Sequence, residues 1–299
     1  MILEYEVFKK ELNEKLFEGS SAYLIQRIVR SPDRYIGLFR STRPKTKLLQ
    51  NITQSHEIKF GDALENIFEE YFKALGFEML PKRLSAQETK DNKEYNIDQL
   101  FKKGSIVYLI EQKVRDDHDS TKKIGQFSNF EAKYYEVTKK YSKNKVLPIM
   151  WFIDDSLKKN KNYYLEQMDK MAVLYGCEPK LYYGVEMFSE SENGISDFPN
   201  EMWNEIIEYL TAWKETLPDI PEVNFDANSK KVFEELKDLS PAIYRKLFEN
   251  DDIKEQILPI LFTKGIVLRK LKDYFSSKEG VVYKNISKEI EEYIKERFK

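Results

Sequence analysis

The sequence predicts an α/β fold, a central mixed β-sheet flanked by helices with further helices at the N- and C-terminal ends. Three observations predict it. Two apolar runs, 106–110 and 146–153, are strand-sized and too continuously apolar to have a solvent-facing side. Helical spacing lies before, between and after them, over 61–75, 125–141 and 163–175. The two ends, 3–29 and 230–299, show helical spacing alone.

Taken in order, 3–29 repeats its apolar residues at helical spacing, with Gly19-Ser20-Ser21 as a break, and Ser31-Pro32 closes the pair. The stretch 37–47 is basic, rich in hydroxyls and free of acids, as expected of a surface loop. Over 61–75, Leu64, Ile67, Phe68, Tyr71 and Leu75 share one helix face, and Gly76 is a natural stop. A short strand and a polar loop fill 77–92. Residues 95–101 alternate, Lys102-Lys103-Gly104 turns the chain, and 106–110 returns as the buried arm of a hairpin. Strand 146–153 ends at Asp154-Asp155, and a helix over 163–175 leads to a third strand at 180–187. This strand–helix alternation predicts parallel or mixed pairing. After a helix at 203–213, Pro218 and Pro221 mark a boundary within 216–228. The division expected is therefore 1–55, an N-terminal helical region that contacts the ligand; 56–215, the core; and 216–299, a C-terminal helical subdomain.

Composition narrows the chemistry. Of 299 residues, 41% are hydrophobic and 33% charged, which suits a folded domain. No apolar run nears the roughly 20 residues of a membrane span, and the N-terminus lacks the pattern of a secretory signal, so the expected location is the cytoplasm. One cysteine, Cys177, excludes an intramolecular disulfide, and two histidines, His56 and His118, argue against a zinc centre. Any metal should be a hard cation on carboxylates. With a net charge of -2, binding to nucleic acid would need segregated basic residues.

The informative constellation is Asp98, followed 13 positions later by Glu111-Gln112-Lys113. Acid-x-base triplets are cheap, since 51 acids and 49 bases give roughly eight by chance. Placement raises its value. Glu111 and Lys113 project from one strand face, just where a buried strand leaves the core, and Asp98 lies on the preceding strand. Two carboxylates there suit Mg²⁺, with Mn²⁺ as a substitute, and an adjacent lysine suits phosphodiester hydrolysis.

At these residues the chain resembles the PD-(D/E)XK nuclease superfamily, type II restriction endonucleases in particular. Ile97-Asp98 matches the "PD" element, with Ile97 in place of proline, and Glu111-Gln112-Lys113 matches "(D/E)XK". Glu65 matches the acid that many members carry on the preceding helix. The resemblance covers about 58–155. It implies a restriction-endonuclease-like core and a Mg²⁺-dependent endonuclease cutting double-stranded DNA at a short sequence. It also implies a homodimer, with a DNA methyltransferase in the same restriction-modification system. Asp98, Glu111 and Glu65 would hold metal, and Lys113 would position the attacking water.

Beyond the motif, Arg115, His118, Ser120, Thr121, Lys122, Lys123 and Gln126 offer donors for phosphates and base edges. Arg40, Arg43, Lys45 and Lys47 are candidates for a phosphate-binding arm. Each has a plainer reading. The acids and Lys113 could be a surface ion-pair cluster, Glu65 a solvated helix position, and the basic segments ordinary charged loops. Trp151, Phe152, Trp203 and Trp213 fit core packing, and Asp154 and Asp155 fit turn positions. Two rival functions remain: a structure-specific repair or recombination nuclease, separable by smeared rather than discrete digestion, and a non-catalytic DNA-binding protein on a nuclease fold. A metabolic enzyme fits poorly, for no Gly-rich phosphate loop follows the first strand.

Overall fold

The apolar run that opens at Ile106 continues as strand well past its last aliphatic residue, and this extension positions the candidate site. The computed structural model describes residues 1–117, 119–218 and 223–298, side chains of 18–23 excepted. Its strands are β1 (Glu78–Met79), β2 (Arg83–Leu84), β3 (Tyr95–Asn96), β4 (Gln99–Lys103), β5 (Ile106–Lys113), β6 (Lys145–Phe152) and β7 (Lys180–Tyr183). Five of them form one sheet in the order β1-β4-β5-β6-β7, and β2 and β3 pair separately. β1, β4 and β5 pair antiparallel, and β5, β6 and β7 pair parallel, so the sheet is mixed as the sequence predicts.

The chain divides into two units, Met1–Glu11 with Gly61–Thr216, and Leu12–Phe60 with Leu217–Lys299. The first contains the sheet. Strand alternation sends Val107 and Leu109 of β5, with Leu100 of β4 and Met150 and Phe152 of β6, to one face. That face packs against Phe127, Phe130, Tyr134 and Val137 of α4 (Ser120–Lys140) and Tyr164, Met168 and Met171 of α5 (Lys161–Tyr175). Aromatic rings fill the opposite face. Phe72 lies 4.2 Å from Phe101, Phe68 meets Trp151 edge-on at 4.6 Å, and Trp203 of α6 (Asn200–Lys214) also reaches Trp151. Trp151 and Trp213 are core residues, and the Trp151 indole donates to the Gly184 carbonyl at 3.0 Å.

The second unit is helical. Its C-terminal part runs through α7 (Ser229–Leu236), α8 (Pro241–Glu249), α9 (Asp251–Gln256), α10 (Leu258–Leu261), α11 (Ile266–Ser276) and α12 (Val281–Arg297). Leu236, Leu247, Ile253, Leu268, Leu271 and Ile290 share a core there with Ile28 and Leu48.

Several elements differ from the expected pattern; the strand expected over 180–187, for one, ends at Tyr183 and gives way to a 3-10 turn, Gly184–Met187. Gly19-Ser20-Ser21 does not break the N-terminal helix: α1 (Tyr5–Asn13) passes through a wider π-helical turn, Glu14–Glu18, into α2 (Gly19–Arg30). The helix expected over 61–75 begins far earlier, as α3 (Pro44–Ala74), where Pro44 supplies a backbone preset for a first turn. Lys45 and Lys47 are therefore helical rather than loop residues. A further difference, a bend at Asp98, belongs to the site. Among the described residues, no helix is long and apolar enough to cross a membrane.

A candidate active site at the end of the central strand

The expected strand over 95–101 is interrupted. β3 pairs with β2 and β4 pairs with β5, leaving Ile97 and Asp98 between them on a bend. Two hydrogen bonds fix the bend. Ile97 N donates to the Lys82 carbonyl at 2.8 Å, and the Asp98 carboxylate accepts from Gln112 N at 2.9 Å. A main-chain donor of β5 thus sets where Asp98 sits. Polar side chains were expected to mark the exit of β5, but the strand carries them inside. Glu111 is 3% exposed and Gln112 4%.

Glu111 and Lys113 share the α4-facing side of the sheet, two residues apart. The Lys113 ammonium touches both acids, at 2.6 Å from Asp98 Oδ2 and 2.9 Å from Glu111 Oε1. A second ammonium does the same from the other side. Lys133, projecting from α4, is 2.7 Å from Glu111 Oε2 and 3.6 Å from Asp98 Oδ1. Two carboxylates and two ammoniums, Glu111 and Lys133 buried and Asp98 and Lys113 partly so, therefore form a closed, formally neutral ring. Burial alone would pull the Lys113 ammonium down, but the charges of Glu111 and then Asp98 outweigh it and hold the group above the usual lysine range.

The sequence reading missed Lys133. The signal was present: Phe127, Phe130, Tyr134 and Val137 define a buried stripe, and Lys133 lies on it, three residues after Phe130 and four before Val137. A lysine on a buried stripe needs a carboxylate partner, and two were already in view.

Glu65 sits on α3, whose main-chain oxygen at that residue accepts from Gln99 Nε2 at 2.6 Å. Burial first, then the charge of Asp98, push its carboxyl up to about 7, against the pull of Lys113 and Lys82. Among the described residues its carboxylate makes no ion pair, and no group of three or more His, Cys, Asp or Glu gathers round one point. Asp98 and Glu111 nevertheless fit a hard divalent cation. That one ammonium nitrogen lies within 2.9 Å of both shows that a single cation can reach an oxygen of each. Mg²⁺ needs only one or two protein carboxylates beside water and phosphate.

The segment after β5 is pinned by an acid the sequence reading left unassigned. Asp116 is fully buried and accepts from Asn160 N at 2.8 Å, Asn160 Nδ2 at 2.8 Å and the Tyr183 hydroxyl at 2.9 Å. Arg115 is exposed and pairs with Asp154 at 3.2 Å. Helix α4 begins at Ser120, five residues before the helical start expected near Gly125. The cause is Asp119, which caps it by accepting from Lys122 N at 2.8 Å. The N-terminus of α4, a place that favours anions, is thus filled by the chain's own carboxylate. Ser120, Thr121 and Lys122 are exposed on that first turn, and Lys123 lies 4.7 Å over the Tyr163 ring. Gln126 accepts from the Tyr164 hydroxyl at 2.8 Å, and His118 lies outside the described residues. In the helical unit, Arg40, Arg43 and Lys45 are exposed, and Lys47 is half-buried, 3.3 Å from Gln50 Oε1.

Residues 77–214, the stretch from just before β1 to the end of α6, match the family model "Type II restriction endonuclease, HinfI". Over that stretch, which is a little under half of the chain, the protein is similar to type II restriction endonucleases of the HinfI type. The match indicates a type II site-specific deoxyribonuclease and implies a DNA substrate. The HinfI-type segment contains Asp98, Glu111, Lys113 and Lys133, and excludes Glu65 and the basic residues 40–47. No curated protein and no solved structure gives a match.

Proposed function

We propose that the chain hydrolyses double-stranded DNA at a specific sequence in a Mg²⁺-dependent reaction centred on Asp98, Glu111 and Lys113. The observation that carries this is the shared grip of one ammonium on both carboxylates, inside a segment that matches a restriction endonuclease family. Asp98 and Glu111 would hold the divalent ion, with Mn²⁺ able to replace Mg²⁺. When bound, such a cation withdraws electron density from the scissile phosphate and from water.

The chain's own groups divide the remaining work. The acids beside Lys113 keep it protonated, so it acts as a hydrogen-bond donor and fixed positive charge and not as a base. It orients the attacking water and stabilises charge developing on the phosphate oxygens. Lys133 is a positioning residue: it holds the Glu111 carboxylate from the side opposite Lys113. Glu65, close enough to feel the charge of Asp98, assists the metal or a second ion. Arg115, Ser120, Thr121, Lys122, Lys123, Gln126 and His118 hold DNA near the cut, and Arg40, Arg43, Lys45 and Lys47 bind phosphates elsewhere on the duplex. A homodimer would match the two-fold symmetry of short palindromic targets, and a companion methyltransferase would protect host DNA in the cytoplasm.

Incubation of purified protein with plasmid DNA tests the proposal. Discrete fragments with Mg²⁺ or Mn²⁺ and none with EDTA are expected. A smear, branch-only cutting, or undiminished cutting in EDTA contradicts it.

A further inference from the structure

Between Asp33 and Glu57 the chain holds five cations, Arg34, Arg40, Arg43, Lys45 and Lys47, and no acid, in a protein of net charge -2. At the centre of this stretch is a tight turn. Gly37 adopts φ +116°, and Arg40 N donates to the Gly37 carbonyl at 3.2 Å, which places Leu38 and Phe39 at the turn's tip. Both side chains are almost fully in water, Leu38 at 91% exposed and Phe39 at 99%. The turn is anchored on both sides, since Tyr35 before it and Leu48 after it are buried in the helical unit's core. Among the described residues Arg34, Arg40, Arg43 and Lys45 form no ion pair, so their charge is not spent within the chain.

A solitary exposed leucine needs no explanation, but an adjacent Leu-Phe pair at the tip of an anchored turn gives up apolar burial at two positions at once. Cations on both sides and no acid select a polyanion as the partner that would cover it. An apolar tip flanked by phosphate-binding arginines and lysines is the combination with which proteins enter duplex DNA, the charges holding the backbone while the wedge parts a base step. We infer that Leu38 and Phe39 form a wedge that inserts into duplex DNA, so that the chain reads the deformability of its target as well as its base edges. The inference rests on the nuclease reading above for its substrate, but not on the placement of the active site.

The test uses the full chain in EDTA and a short duplex carrying the site at which it cuts plasmid DNA. Phe39→Trp is expected to show a blue-shifted, quenched emission on duplex addition when wild-type emission is subtracted. The Leu38→Ser/Phe39→Ser variant, which only removes exposed apolar surface, should bind about tenfold more weakly with an unchanged salt slope. Unchanged emission with the duplex bound, or wild-type affinity in the double serine variant, overturns the wedge and leaves the nuclease intact. A shift with phosphatidylglycerol vesicles and none with duplex overturns it in favour of a lipid surface. Failure of the wild type to cut plasmid or bind any duplex overturns the nuclease reading, and the wedge with it.

Discussion

Two acid centres lie at the end of β5 and just beyond it, and they are held in opposite ways. Asp116 is fixed by neutral donors that the backbone and core impose, namely Asn160 N, Asn160 Nδ2 and the Tyr183 hydroxyl. Asp98 and Glu111 are held mainly by ammonium groups at the ends of flexible stems, Lys113 and Lys133. A carboxylate locked by neutral donors has its negative charge spread over short, rigid contacts and serves the fold. A carboxylate balanced by lysine termini can exchange partners when a divalent cation and a phosphate arrive, because the stems can move while the backbone stays. Under the proposed function, burial alone does not mark the acid that does the chemistry; the kind of counter-group does.

The largest expected effect lies on the lysine-held side. Asp98→Asn should lower plasmid cleavage by at least about 10³-fold while the protein keeps its far-ultraviolet circular dichroism. Strong residual cleavage would place the chemistry elsewhere. Next, Asp116→Ala should cost on the order of 3–5 kcal/mol in urea unfolding, since three buried donors lose their acceptor. A loss below about 1 kcal/mol would mean the network is dispensable. Lys133→Met sharpens the comparison from a third side. Removing one of two ammoniums should strengthen Mn²⁺ binding by about tenfold while weakening the metal-free protein. Unchanged Mn²⁺ affinity would show that Lys133 does not share the site's charge balance.

The smallest effect concerns Glu65. Its folded carboxyl is pushed up to about 7 by burial and then by Asp98, above an ordinary glutamate value near 4.5. Below that ordinary value both states are protonated and nothing is lost. As pH rises through 4.5 toward 7 the unfolded chain ionises first, and stability falls. Glu65→Gln should therefore gain stability over wild type at pH 8 relative to pH 5, by on the order of 1–2 kcal/mol. An equal difference at both pH values would contradict the assignment.

Much of the fold was legible because its signals are local. The apolar runs of β5 and β6 and the helical spacing of α4 and α5 report burial on a sheet with helices over it, and the mixed five-stranded sheet follows. The bend at Asp98 was not legible, because it depends on Gln112 N across the sheet, a contact no pattern within 95–101 records. Glu111 and Lys113 could be paired by their spacing. Lys133 enters from 20 residues beyond Lys113, on a helix whose polar positions all read alike until the stripe is drawn through it. Asp116 could not be separated from Asp117 or Asp119 by sequence. Its burial comes from Asn160 and Tyr183, which reach it from elements far along the chain.

A joint grip of Asp98 and Glu111 on the divalent ion is open to direct measurement by Mn²⁺ electron paramagnetic resonance. Saturable loss of the free Mn²⁺ signal is expected with wild-type protein and none with the folded Asp98→Asn/Glu111→Gln variant. Equal Mn²⁺ uptake by the two proteins would contradict it.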